Sequence, residues 1–416
     1  MFFSAVSMIS GGICIATEYT YTNMVDNSGF LDSFSAPSLN NQGEVAFFSY
    51  TDDSVAGIYK TDGQTLVTIV DDTGEYSFWG GGMSLASMPA VSDNGYVAFF
   101  AYTDSFEHGV YKGNGGPITV VAQTGSGYVS IFDNPGVNVA GMLVFYCTPD
   151  SNSEAIVAAD GTQTITIADD SGSFGWFYES NDINDNGLAA FLAGGGSGAD
   201  YFDGIFTDDG PGGASLVTVA VLDDGYTSFG TSISMNNDGV VAFTAETVAS
   251  GSGVFKGDGT FVETVAAEND GFFFFDQPAI NNNGVVAFLA DNYGYSTGIY
   301  TGPDWMSGED RVIETGQDLF GSVVTSIDFF HFGINDLGQV AFHYVLDDGR
   351  EGIALATPVS NPVPGDLNGD GCVDQADLGI LLGAYGAGAG GDLDGDGDTD
   401  QADLGVLLGN YGNGCP

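Results

Sequence analysis

The chain has 416 residues, five of them Lys or Arg and 56 of them Asp or Glu, for a formal net charge of −51. A surface this acidic repels phosphate backbones and anionic bilayers, so nucleic-acid and membrane-surface roles are not expected, whereas divalent cations are attracted. With 43% apolar residues, 31 Phe and 19 Tyr, the chain is not a disordered acid and can bury a large core.

Residues 1–16, MFFSAVSMISGGICIA, are apolar, rich in small residues and end in Ile-Ala. They read as the remnant of a signal peptide with a shortened start; the competing reading is a buried first strand. The expected location is secreted or cell-surface, extracellular or periplasmic. No apolar run reaches the ~18 residues of a membrane helix, so no membrane insertion is expected.

From residue 17 the chain repeats itself. NNQGEVAF starts at Asn40, SDNGYVAF at Ser92, NVAGMLVF at Asn138, NDNGLAAF at Asn184, NNDGVVAF at Asn236, NNNGVVAF at Asn281 and NDLGQVAF at Asn335. Their glycines, from Gly43 to Gly338, are separated by 52, 46, 46, 52, 45 and 54 residues. That is the period of a four-stranded propeller blade, about 40–50 residues. Asn or Asp beside Gly predicts a short hairpin with both residues at positive φ. One strand enters it (Pro278–Ile280) and one leaves (Val285–Ala290). A third follows, as at GIYK (Gly57), GVYK (Gly109) and GVFK (Gly253), and then a fourth such as Leu66–Val70. Stacked blades leave two bare faces unless the ring closes. The last unit lacks a fourth strand after Glu351–Ala356, and Tyr21–Gly29 near the N-terminus matches it. Residues 17–357 therefore predict an all-β, seven-bladed β-propeller latched by its N-terminal strand. The units resemble the NxxGxxAF tandem repeat of exported bacterial proteins and, more distantly, Tol-type and WD-type propeller repeats. That resemblance implies a fold rather than an activity.

Acid-rich turns followed by aromatics recur at Asp71–Trp79, Asp169–Phe177, Asp223–Phe229 and Glu268–Phe275. As connections gathered on one propeller face they would suit sugars or cations; the plainer reading is that the aromatics wedge between blades. Catalytic signals are sparse. Arg311 and Arg350 cannot supply a three-arginine carboxylate clamp, and His108, His331 and His343 form no helical metal pair. No GxSxG elbow or phosphate loop occurs, and Cys147 reads as a packed small thiol. A catalytic carboxylate pair cannot be singled out among so many acids.

A Pro-containing linker, 358–364, leads to a last unit, 365–416, that carries one phrase twice. DLNGDGCVDQAD (Asp366–Asp377) and DLDGDGDTDQAD (Asp392–Asp403) begin 26 residues apart. Positions 1, 3, 5, 9 and 12 are Asp366, Asn368, Asp370, Asp374 and Asp377 in the first, and Asp392, Asp394, Asp396, Asp400 and Asp403 in the second. Position 7, Cys372 or Asp398, contributes a backbone carbonyl, and Gly371 or Gly397 at position 6 makes the sharp turn. Oxygen donors at these offsets suit a hard cation with six to eight ligands, and calcium fits better than magnesium. Two Ca2+ ions are expected. Leu378, Leu381, Leu382 and Tyr385, and then Leu404, Leu407, Leu408 and Tyr411, fall at helical spacing, predicting two short helices packed together.

A calcium loop closed by Asp, one helix per loop and a duplicate of both resemble a type I dockerin. That resemblance implies a small α-helical EF-hand-like domain, calcium-dependent docking to a cohesin-like protein or surface assembly, and association with polysaccharide breakdown. Dockerins usually carry a Ser/Thr-type pair at loop positions 10 and 11, with basic residues further on. Gln375–Ala376 and Gln401–Ala402 stand there instead, and neither helix has Lys or Arg. Cys372 and Cys415, early and late in the unit, are expected to close a disulfide in an oxidising compartment. The leading expectation is an exported, non-catalytic propeller held by this module and presenting an acidic, aromatic face to carbohydrate. The alternative is a dockerin-borne O-glycosyl hydrolase.

Overall fold

The computed structural model describes residues 18–78, 88–132, 135–208, 215–306, 308–359, 364–368, 372–386 and 388–412. The segment read as a signal peptide, residues 360–363 of the linker, Asp370 and Cys415 lie outside them. The chain divides into two compact units, Met1–Thr357 and Pro358–Pro416.

In the first unit the described strands form seven sheets in chain order, the arrangement of a seven-bladed β-propeller. The fifth blade is typical: Tyr226–Met235, Val241–Thr247, Gly251–Gly257 and Val262–Ala267 pair in sequence. In the seventh, the N-terminal strand Tyr19–Asp26 lies beside Glu351–Pro358, so the two ends of the ring share one sheet. The Asn27 amide extends this latch, donating to Glu351 O at 2.9 Å.

The Phe of each repeat has a defined task. Phe47, Phe99, Phe191, Phe243 and Phe288 each stand directly opposite an aromatic ring on the third strand: Tyr59, Tyr111, Phe206, Phe255 and Tyr300. Ring centroids are 5.7–6.2 Å apart. Such cross-strand pairs contribute roughly 0.2–1 kcal/mol each beyond Ala–Ala. Cores form between neighbouring blades, as where Phe48 and Ile58 of the first pack with Phe99 and Tyr111 of the second.

The repeated turn differs from the two-residue hairpin expected. Only the Gly is left-handed, at φ 70–82° in all seven turns. In every turn the Gly amide donates to the carbonyl three residues back at 2.9–3.0 Å. This is a type I turn closed by a glycine bulge. The first Asn decides it, because its side-chain oxygen caps the turn: Asn236 Oδ1 accepts from Asp238 N at 3.1 Å and Val240 N at 3.0 Å.

The same Asn reaches outward. Nδ2 of Asn40, Asn138, Asn184, Asn236, Asn281 and Asn335 donates to the carbonyl of the equivalent residue in the next blade, at 2.9–3.2 Å. The last link, Asn335 to Asn40, closes the circle. A second belt runs beside it. The amides of Asn41, Val139, Asp185, Asn237, Asn282 and Asp336 each donate to the side-chain oxygen of the next blade's equivalent residue, at 2.7–2.9 Å. Both belts are interrupted between the second and third blades, where Ser92 has no amide to give and Val139 no oxygen to accept. There Asn94 Nδ2 donates to Val139 O, and Lys112 Nζ reaches Gly141 O at 2.5 Å. Lys60 and Lys256 make the equivalent contact to Gly95 O and Gly284 O at 3.1 and 3.0 Å. Three of the five basic residues thus staple neighbouring blades.

The second unit holds two short helices, Gln375–Ala384 and Gln401–Gly409. Its core is small: Val373, Leu381 and Leu407 are buried, with Leu367, Leu378, Leu393 and Leu404 packed around them. The expected apolar faces are only half used, since Leu382, Tyr385, Leu408 and Tyr411 remain 44–55% exposed. On so short a helix one face meets its neighbour, and residues one position round the turn point away.

Candidate functional site

The acidic loops are organised by their last carboxylate. Asp403 is buried, and its oxygens accept from Leu393 N at 2.6 Å, Asp394 N at 3.2 Å and Asp400 N at 2.7 Å. Asp377 does the same in the first loop, accepting from Leu367 N, Asn368 N and Asp374 N at 2.8, 3.1 and 2.8 Å. Position 9 begins each helix: Asp374 and Asp400 accept from Ala376 N and Ala402 N at 2.7 Å. Loop closure and helix start are therefore one hydrogen-bond system.

In the second loop the carboxylates converge. Single oxygens of Asp392, Asp394 and Asp403, and of Asp398, Asp400 and Asp403, lie within 4.8 Å of one another. Oxygens this close could share one cation, a condition that does not by itself distinguish calcium from other metal ions. Asp392 is oriented by Gly395 N, Asp396 N and Gly397 N at 2.8–3.1 Å. Asp396 accepts from Asp398 N at 3.1 Å. The backbone amides, Asp400's first, hold Asp403 below the usual carboxylate range. Crowding acts the other way elsewhere: Asp398 is raised chiefly by the charge of Asp396, and Asp394 by burial and then its acidic neighbours. A bound dication would relieve that repulsion. In the first loop Asp366, Asn368, Cys372, Asp374 and Asp377 are described and Asp370 is not. Cys372 is disulfide-bonded, and its partner lies outside the described residues. Cys147 is free and buried, its thiol pushed up to about 12 by desolvation.

The propeller channel holds a residue that the sequence reading missed. Two positions before the first residue of each turn stand Ser38, Ala90, Gly136, Asp182, Ser234, Ala279 and Gly333. Six are small and one is an acid. Asp182 lines a narrow cavity of about 140 Å3 with the residues of the belts. Its oxygens accept from Ile183 N and, across the blade boundary, Met235 N, both at 2.7 Å. Burial nevertheless pushes its carboxyl up to about 7. Aligning the seven repeats exposes this odd member; reading each motif alone does not.

Asp276 and Asp328, five and seven residues before the turns of the last two blades, are also raised, chiefly by burial. The charge of Asp328 pushes Asp276 further. His331 and His343 find separate partners. His331 Nδ1 lies 3.3 Å from Gln277 Oε1, whereas His343 Nε2 lies 3.0 Å from Glu351 Oε1. Burial depresses His331 to about 3, so it is neutral.

The aromatic runs are not loops, as expected, but the starts of inner strands: Phe174–Ile183, Tyr226–Met235 and Phe272–Ile280. Most wedge between blades, with Phe177, Phe272 and Phe275 buried. Phe273 and Phe274 stay 43% and 46% exposed, and Phe273 stacks on the exposed Tyr293 at 5.8 Å.

Residues 22–366, which include all seven blades, match a family of unknown function, DUF7453. The chain belongs to that family. The match ends at the first residue of the first acidic loop. No curated protein matches the sequence. Among solved structures, an oligogalacturonate lyase in complex with manganese is similar over 83% of this chain and 97% of its own, at 11% identity and a TM-score of 0.52. A prolyl endopeptidase matches 80% of this chain at 14% identity and a TM-score of 0.49, and prolyl oligopeptidase B from Galerina marginata matches 76% at 12% identity and a TM-score of 0.48. The chain spans about half the length of these peptidases. At such identities the likeness is one of fold. No described helix is long and apolar enough to cross a membrane.

Proposed function

We propose that this DUF7453 member is an exported propeller that presents a carbohydrate-binding surface and is attached to a partner by a calcium-dependent, dockerin-like C-terminal unit. The observation that carries the reading is the convergence of Asp392, Asp394, Asp398, Asp400 and Asp403 on one loop whose ninth and twelfth residues also start a helix. When bound, calcium would supply the charge that lets these acids approach, and the loop residues would orient the helices. The partner would be a cohesin-like domain or surface assembly, met through the exposed Leu382, Tyr385, Leu408 and Tyr411. Gln375 and Gln401 replace the usual hydroxyl at the loop exits, so the partner would differ from conventional cohesins. The exposed Phe273, Phe274 and Tyr293, with Glu268 beside Tyr293, support a sugar-stacking surface.

Calorimetric titration of the full chain with calcium, with helicity followed by circular dichroism, tests the attachment reading. Two saturable sites and a gain of helix are expected, with one site lost in Asp403→Asn. No heat and no helical change would overturn it.

A second reading, a polysaccharide-cleaving enzyme, draws on the raised carboxyls of Asp182, Asp276 and Asp328. Release of reducing ends from a polysaccharide panel, abolished in Asp276→Asn, would establish it over the non-catalytic one.

A further inference from the structure

Next to the narrow Asp182 cavity the channel widens into a second space of about 360 Å3, and His331 lines both. Its position follows from register. Four residues before the turns of blades four, five, six and seven stand Ser180, Ser232, Gln277 and His331, all polar, whereas blades one and two place Ala36 and Met88 there. The blade-three counterpart, Asn134, lies outside the described residues, so among the described positions the polar ones belong to blades four to seven. Ser180, Ser232 and His331 line the wider space, and Gln277 holds the ring of His331 while itself kept in the left-handed region at φ 49°. A buried, non-glycine residue in that conformation persists only where its surroundings impose it.

Ser180 and Asn181 are the unusual members. They are 5% and 2% exposed, and Ser180 Oγ, Asn181 Oδ1 and Asn181 Nδ2 have no hydrogen-bond partner among the described residues. Buried polar atoms left unpaired are costly and rare; these are closed off from solvent, and a small side-chain turn toward the adjoining space would give them partners there. The remaining walls are flat and aromatic: Tyr146, Phe177, Tyr178 and Phe330. Among the described residues Glu179 is the only charged side chain lining the space, and no Lys or Arg lines it. All five basic residues of the chain are committed elsewhere, three to neighbouring turns, Arg311 to Glu314 and Arg350 to Asp348. The site therefore has nothing to neutralise a phosphate, sulfate or uronate.

We infer that this polar, aromatic-walled section of the channel is a binding site for a neutral saccharide, taking one or two sugar rings. Ser180, Asn181, Thr231, Ser232 and the neutral imidazole of His331 offer donors and acceptors to ring hydroxyls. The aromatic walls take the apolar sugar faces, as such rings do in other polar pockets. The volume falls at the lower end of small-ligand sites, roughly 300–1,000 Å3. The inference rests on the carbohydrate reading proposed above and adds to its Phe273–Tyr293 surface a separate channel site of one charge class.

The test is saturation-transfer NMR and calorimetry on the full chain with cellobiose, maltose, xylobiose and mannobiose, with galacturonate as the anionic probe and choline as the cationic one. At least one neutral disaccharide should bind saturably. The double variant Ser180→Ala/Asn181→Ala should weaken it at least about tenfold. Ser232→Phe, which fills the space, should abolish it, and an unchanged melting temperature shows that each variant is folded. Failure of every neutral disaccharide, or a preference for galacturonate or choline, overturns the inference. Retention of an insoluble polysaccharide by the wild type and both variants alike overturns it too, while leaving the wider carbohydrate reading standing. Repeating the measurement in EDTA separates it from calcium-dependent attachment.

Discussion

The two units solve the problem of acidic sequence in opposite ways. In the propeller, Asp and Asn side chains are spent on the backbone of the next blade, and the two belts make each turn depend on its neighbour. In the C-terminal unit the carboxylates turn inward toward one another, with three fully buried apolar side chains behind them. In the first arrangement the belt oxygens face N–H groups of the neighbouring turn, so those links need no counter-charge. The second concentrates like charges around a small core, and on the reading proposed above it would depend on a cation. On that reading one composition yields a self-sufficient ring and a conditional module.

Chelation should break this comparison most visibly. In calorimetry of the full chain, EDTA should remove the transition of the C-terminal unit and leave the propeller transition in place. At a thousandfold excess over its dissociation constant, an ion stabilises its fold by about 4 kcal/mol, and that increment should disappear. Loss of both transitions together would show that the ring is conditional as well.

Next in size is Asp182. Its folded pKa of about 7 lies above the ordinary carboxylate value near 3.9, so the folded chain holds a proton that the unfolded chain has released. The contribution is fully present below about pH 4 and is lost as pH rises toward and through about 7. Three units correspond to at most about 4 kcal/mol. Relative to wild type, Asp182→Asn should flatten the stability slope of the propeller between these limits, read by urea unfolding across pH. Parallel profiles would show that Asp182 is ionised throughout.

Asn236→Ala removes two turn caps and one belt link and should cost the propeller about 2 kcal/mol, with the calcium response unchanged. The smallest effect sharpens the picture at its gap. Ser92→Asn restores the missing amide toward Asn138 and should stabilise the ring by about 1 kcal/mol, measured as an upward shift in melting temperature. An unchanged or lower value would mean that Lys112 and Asn94 already close that seam.

Seven phrases of the NxxGxxAF type, five of them matching it in full, determined by themselves the count of blades, the place of each turn and the strand that latches the ring, because these rest on local turn chemistry and period. The paired loops likewise announced the helices that follow, since loop and helix are contiguous. The sequence could not say that the first Asn of six phrases also clasps the next blade, because its donor faces a residue in the neighbouring repeat. Its plainer reading of the aromatic runs, rings wedged between blades, holds for Phe177, Phe272 and Phe275, but it could not say that Phe273 and Phe274 stay exposed. Asp182 and the unpaired Ser180 and Asn181 were ordinary letters until closure of the ring set them around one channel. Tertiary structure decided them, because burial and the loss of hydrogen-bond partners are properties of a closed ring and not of a repeat.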